Sequence, residues 1–117
     1  MQPLISVVVA TFRQDNMLLR ALNSLAKQTY KNFEIIVVDD NANEEFNSRV
    51  NDIITKFREE NEEIKLTFIV NKSNLGSAHT RNVGIDASTG EYITFLDDDD
   101  LYLPENLEKQ IENMLKT

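Results

Sequence analysis

Four short apolar runs punctuate the chain, each followed by polar residues and then by a stretch with helical periodicity. Ile5-Ser-Val-Val-Val-Ala10 and Phe33-Glu-Ile-Ile-Val-Val38 are nearly continuous and rich in β-branched residues, the pattern of strands covered on both faces. Ile64 to Val70 alternates less cleanly and predicts a third strand, and Glu91 to Leu96 predicts a fourth. Leu18, Leu22 and Leu25 stand at i, i+4, i+7, so a helix is expected from about Met17 to Lys27 with Asp15 or Asn16 as its N-cap. Val50, Ile53, Ile54 and Phe57 form the same kind of stripe within a helix from Glu44 to Glu60. Ser77 to Ala87 reads as a helix with Ala78, Val83 and Ala87 as small packing residues, followed by Gly90 as a C′ residue. A final helix is expected to open at Pro104, where a missing N–H costs nothing, and to turn Leu107, Ile111, Met114 and Leu115 inward.

Strand and helix therefore alternate four times. Connections of this length imply right-handed crossovers, hence one α/β domain over residues 1–117: a doubly wound, mostly parallel sheet in a three-layer α/β/α sandwich.

Composition narrows the possible chemistry. Twelve basic against twenty acidic residues give a net charge of −8, and no Lys/Arg stripe is present, which argues against nucleic acid as a partner. The absence of cysteine excludes thiol catalysis, disulfides and Cys-based zinc sites. No apolar run is long enough to span a bilayer. The expected setting is cytoplasmic, with any attachment to the inner face of a membrane made through parts outside this chain.

The chemistry gathers where strands end. Ligands of open α/β sheets bind outside the carboxyl ends of the strands. Those ends carry Thr11-Phe12, Asp39-Asp40 and the four carboxylates Asp97 to Asp100. Like charges so close repel unless something positive lies among them. If the chain is still extended there, Asp97 and Asp99 share one side and Asp98 takes the other. Paired carboxylates suit a hard divalent cation, Mg²⁺ or Mn²⁺. The alternative is a solvated acidic turn ahead of the last helix. Neither G-x-G-x-x-G nor a P-loop is present, so the usual phosphate cradles are absent. Asp40 could accept from a base or ribose, and Arg81 is the cation best placed for a phosphate or base edge; its alternative is an exposed helix arginine or a partner for Asp86. Asp39 is expected to accept backbone N–H bonds in its turn, Phe57, Phe68 and Phe95 to be core, and His79 to be a surface or capping residue.

Four segments together carry a resemblance: Ile5-Ser-Val-Val-Val-Ala-Thr-Phe12, Leu22 through Gln28 to Asp40, Asn74-Leu-Gly-Ser-Ala-His-Thr-Arg81-Asn-Val-Gly84, and Gly90 through Leu96 to Asp100. In this order and spacing the chain resembles family 2 glycosyltransferases from Ile5 to about Leu107. The resemblance implies a GT-A fold and a nucleotide-diphosphosugar donor, commonly a UDP-sugar, with inverting transfer to a saccharide, lipid-linked or protein acceptor. It implies that Thr11 and Phe12 flank the base, Asp40 contacts uracil or ribose, and Arg81 approaches the base or diphosphate. Asp97-x-Asp99 becomes the DxD element for Mn²⁺ or Mg²⁺, with Asp99 the direct ligand and Asp98 near the ribose. Phe12-Arg13 departs from the Tyr-Asn pair usual after the first strand. The acceptor base is expected beyond Thr117, which makes this the donor-binding portion of a longer enzyme, inactive by itself. Two other readings exist. One is a non-catalytic module that holds a nucleotide-sugar or metal. The other, a phosphoacceptor receiver domain, expects its acidic pair after the first strand and a fifth strand with a lysine, and has neither here.

Overall fold

The computed structural model describes residues 2–13 and 15–115, apart from the side chain of Asp15. The Asp15 cap and the end of the chain at Thr117 thus lie outside what is described. Eight elements follow one another: β1 (Ile5–Thr11), α1 (Asp15–Ala26), β2 (Phe33–Asp39), α2 (Glu44–Glu60), β3 (Leu66–Val70), α3 (Ser77–Ala87), β4 (Tyr92–Phe95) and α4 (Asn106–Leu115). The four strands form one sheet in the order β3-β2-β1-β4, with every pairing parallel.

That order follows from crossover handedness. The chain steps from β1 to β2 to β3 in one direction and then returns past β1 to β4. Right-handed connections put α1 and α2 on one face and α3 on the other. Side-chain parity agrees. Ile5, Val7, Val9, Ile35 and Val37 join Leu18, Leu22, Leu25, Val50, Ile54, Phe57, Leu107 and Ile111 in the main core. Val8, one step out of phase, meets α3 at Gly84. A Cβ built on Gly84 would lie 2.3 Å from Val8 Cγ1, so α3 rests directly on β1.

Several local expectations are corrected. Pro104 lies in a turn, and α4 begins two residues later at Asn106. Its inner face is Leu107 and Ile111, whereas Met114 and Leu115 are exposed. Gly90 is not a left-handed C′ residue, since Gly76 is the one positive-φ glycine among the described residues. Gly90 is small because a Cβ there would lie 2.6 Å from Ser6 Oγ and 2.8 Å from the Leu4 carbonyl oxygen. Ile64 falls in the bend before β3, its N–H donating to Asn61 O at 3.1 Å.

Away from the polar strand ends, a buried carboxylate ties the layers together. Glu34 on β2 stands opposite Ser6 on β1 and accepts the Ser6 hydroxyl at 2.6 Å, the Thr89 amide at 2.7 Å and the Thr89 hydroxyl at 2.9 Å. Ser6 Oγ in turn accepts the Gly90 amide at 2.8 Å. Gln28, fully buried at the end of α1, anchors the approach to α4. Its Nε2 donates to Leu103 O at 2.8 Å and its Oε1 accepts the Leu107 amide at 3.0 Å.

Candidate functional site

The reversal of strand order falls between β1 and β4, which is where doubly wound sheets bind ligands. On the α3 face this position holds a cavity of about 350 Å³, floored by Val8 and Ala10 and walled by Thr11, Phe12, Thr80, Arg81 and the segment Phe95 to Asp98. α3 covers β1 but leaves the face of β4 open, so Phe95 stands 39% exposed. The core role expected for Phe95 is therefore corrected, while Phe57 is buried and Phe68 packs against the core as expected. An alternating strand pattern shows which residues share a face; it does not show that no helix lies over that face.

Two loops approach the cavity from the strand ends. After β1, Phe12 projects half-exposed, and Arg13 holds a left-handed backbone at φ 56°, a conformation that costs a residue with a Cβ roughly 1–2 kcal/mol. The Arg13 amide donates to Asn41 Oδ1 at 2.6 Å, and the Phe12 amide donates to Asp98 Oδ2 at 3.0 Å. The Arg13 guanidinium carbon lies 5.2 Å from the Phe12 ring centroid and 5.9 Å from that of Phe46, within cation–π range. Asn41 is itself fixed by Asp39, whose Oδ1 accepts its amide at 2.9 Å and its Nδ2 at 2.7 Å. Asp39 thus accepts backbone N–H as expected. Burial pushes its carboxyl above the ordinary carboxylate range, against the bonds from Asn41.

Asp40 clamps the loop between β3 and α3. Its Oδ1 accepts Asn71 Nδ2 at 3.0 Å and the Leu75 amide at 2.8 Å; its Oδ2 accepts the Gly76 amide at 3.0 Å and Asn74 Nδ2 at 3.2 Å. Those four donors match the capacity of one carboxylate. Burial works to raise its pKa, but the bonds prevail and hold it below the ordinary value. The clamp sets the start of α3 at Gly76 (φ 85°), and α3 delivers Thr80 and Arg81 to the cavity wall. The asparagines at 41, 71 and 74 carry no catalytic signature in sequence; their clustering in polar strand-end loops was the available signal.

The acidic stretch is not extended. Asp98 and Asp99 form a turn, closed by the Asp100 amide donating to Asp97 O at 3.0 Å. The turn sends Asp98 inward to 9% exposure and gathers Asp97, Asp99 and Asp100 outward, with a carboxylate oxygen of each within 4.8 Å of the others. Asp97 and Asp99 do share a side, through a turn instead of strand pleating, and Asp100 joins them, a member the alternation argument omits. Partial desolvation and then the charges of Asp99 and Asp97 push Asp100 upward. Three exposed carboxylates form an all-oxygen set of the kind Mg²⁺ and Mn²⁺ take. Burial, and also the Asp99 charge, push Asp98 up as well, although the Phe12 amide counters them. The Thr11 hydroxyl is buried beside Asp98 and electrostatically favours its charged form, yet makes no hydrogen bond of normal geometry. Arg81 places its guanidinium 3.6 Å from Asp97 Oδ1 and 5.6 Å from the Phe95 ring centroid, so its ion pair is with the acidic turn and not with Asp86.

The sequence model of the family described as "Glycosyl transferase family 2" matches residues 6–117. An uncharacterised glycosyltransferase of Methanocaldococcus jannaschii is 39% identical over 114 residues, which is 97% of this chain and 38% of that protein. The crystal structure of S. aureus TarS 1-349 in complex with UDP-GlcNAc superposes with a TM-score of 0.81 at 29% identity, covering 96% of this chain and 31% of that one. The mannosyltransferase PcManGT from Pyrobaculum calidifontis, in complex with GDP-Man and Mn²⁺, gives a TM-score of 0.76 at 25% identity over 87% of this chain and 29% of that one. The chain thus spans about a third of the length of these relatives. No helix among the described residues is long and apolar enough to cross a membrane.

Proposed function

Because the chain belongs to glycosyl transferase family 2, we propose that it is the donor-binding portion of an enzyme moving a sugar from a nucleotide-diphosphosugar, a UDP-sugar in the first instance, to an acceptor hydroxyl with inversion. One observation carries this reading. At the strand-order reversal, a cavity of about 350 Å³ combines an aromatic wall at Phe12, a cation at Arg81 and the carboxylate of Asp97, which belongs to a set of three whose oxygens lie within 4.8 Å.

In this reading the base lies against Phe12 and Thr11, with Asp40 beneath its edge. The diphosphate lies toward Arg81, whose guanidinium can leave Asp97 for phosphate oxygens. Asp97 and Asp99, joined by Asp100, would hold Mn²⁺ or Mg²⁺, which when bound neutralises charge on the departing nucleoside diphosphate. The chain's own residues orient the donor: Asp40 fixes the α3 start that aims Arg81, and the apolar floor of Val8 and Ala10 excludes water beneath the base. Inverting transfer needs a base near the acceptor hydroxyl. We assign that base, and recognition of a saccharide, lipid-linked or protein acceptor, to parts of the enzyme outside this chain. A cytoplasmic location accords with this donor class.

Calorimetric titration of the chain with UDP, with and without Mn²⁺, tests the reading. UDP should bind weakly alone and more tightly with Mn²⁺, and the double variant Asp97→Ala, Asp99→Ala should lose the metal-dependent increment. If neither UDP nor GDP binds under any metal condition, the donor-site assignment is wrong for this chain.

A further inference from the structure

The acidic turn and the aromatic wall meet at one hydrogen bond. Asp98 is the inward member of the turn, surrounded in sequence by Asp97, Asp99 and Asp100, which all face outward. Its Oδ2 accepts the amide of Phe12 at 3.0 Å, a contact between residues 86 positions apart in sequence. The neighbouring Arg13 amide is held by Asn41 Oδ1 at 2.6 Å. Consecutive amides of the β1–α1 loop are therefore pinned by two side chains, one from the end of β2 and one from the acidic turn.

Resting on the donor-site reading above, we propose that Asp98 is a positioning residue: its carboxylate couples the turn that would hold the cation to the Phe12 wall of the nucleotide cavity. The backbone of the turn is short and closed on itself by the Asp100 amide bonded to Asp97 O. Any ion that draws the outer carboxylates together must therefore adjust the residue between them. Asp98 passes that adjustment to the Phe12 amide, because an amide bonded to a carboxylate is held more strongly than one bonded to a neutral acceptor. Asn41 supplies the fixed point against which the loop moves. A direct contact of Asp98 with a ribose hydroxyl is the competing role, and the two roles make different predictions.

The test uses the 117-residue chain, with Mg²⁺ alone as the first probe. In ¹⁵N–¹H spectra of the unaltered protein, Mg²⁺ should shift the Phe12 amide together with those of Asp99 and Asp100. In Asp98→Ala the turn amides should still respond, and the Phe12 response should vanish. Asp98→Asn keeps an acceptor oxygen for that amide and should recover most of the response. A role confined to stability would not move this signal. The second probe is UDP against 2′-deoxy-UDP with Mn²⁺ present. Asp98→Ala should weaken UDP about tenfold, the scale of one hydrogen bond to a charged group, and the penalty for the missing hydroxyl should be the same in both proteins. The coupling is overturned if Phe12 fails to respond to Mg²⁺ in the unaltered chain, if it still responds in Asp98→Ala, or if the deoxy penalty disappears in that variant. If UDP does not bind the unaltered chain, the donor reading fails, while the Mg²⁺ arm still decides the coupling.

Discussion

Replacing Gly84 with alanine sets two effects of opposite sign against each other. Alanine is the better helix former by about 1 kcal/mol in a helix interior, so propensity alone predicts stabilisation. Contact geometry predicts the reverse. The new Cβ would lie 2.3 Å from Val8 Cγ1, 3.1 Å from Cγ2 and 3.3 Å from Cβ. Val8 is β-branched and buried in the middle of the sheet, so no rotamer clears all three contacts. α3 must therefore lift off β1. Overpacking of this kind costs roughly 1–3 kcal/mol, and the clash with a whole side chain puts the cost at the upper end. The expected net loss is about 1–2 kcal/mol, or roughly 4–8 °C in Tm for a domain of this size. Differential scanning calorimetry, with urea unfolding to confirm an unchanged m-value, measures it. Val8→Ala in the Gly84→Ala background should restore part of the loss, because the two sites share one volume. Nucleotide affinity should fall as well, since α3 carries Thr80 and Arg81. A Tm equal to or above that of the unaltered protein would refute the claim that this glycine exists for close approach.

Two further predictions concern the buried polar groups. Burial raises the Glu34 pKa, but the bonds from Ser6 and Thr89 and the charge of Lys65 outweigh it, so the folded value lies below the ordinary 4.5. A depressed carboxylate stabilises the fold above its unfolded pKa and loses that contribution as pH falls through its folded pKa. Glu34→Gln should therefore cost about 1–3 kcal/mol near neutrality and flatten the fall in Tm below about pH 4.5, read by thermal scans from pH 7 to 3. Gln28→Met keeps the volume but leaves Leu103 O and the Leu107 amide without partners; a loss of about 2 kcal/mol is expected. Hydrogen exchange should then quicken first at the start of α4.

The bounds of α2 and α3 are legible in sequence to the residue. A strong apolar stripe runs along α2 behind the Asn43 cap, whose side chain accepts the Phe46 amide, and α3 starts just after Gly76. Sheet order is less legible: alternation yields parallel strands, while the placement of β4 beside β1 depends on pairings 87 positions apart, such as Ile5 with Tyr92. At the site, the expected residues Thr11, Phe12, Asp40, Arg81, Asp97 and Asp98 all come together around one cavity, with Asp99 beside it in the acidic turn. What sequence hides is the division of labour. The inward turn of Asp98, the addition of Asp100 and the four protein donors already on Asp40 are products of loop geometry, where spacing carries little information. Phe95 misleads for a related reason, since its exposure depends on a helix that covers β1 and stops short of β4.

The position of β4 also has a kinetic side. Once residues through Val70 exist, β1, β2 and β3 can pair, but the other edge of β1 stays bare until Tyr92–Phe95 arrive. Contacts of such long sequence separation form slowly, and a bare central strand is a template for pairing with another copy. The same late event brings the Thr11–Phe12 loop against the Asp97–Asp100 turn, so the site is assembled by the closure that covers the second edge of β1. A ligand that needs both loops binds only chains that have completed it, and by mass action draws the population forward. In this topology, ligand competence and the covering of the central strand β1 arrive in one step.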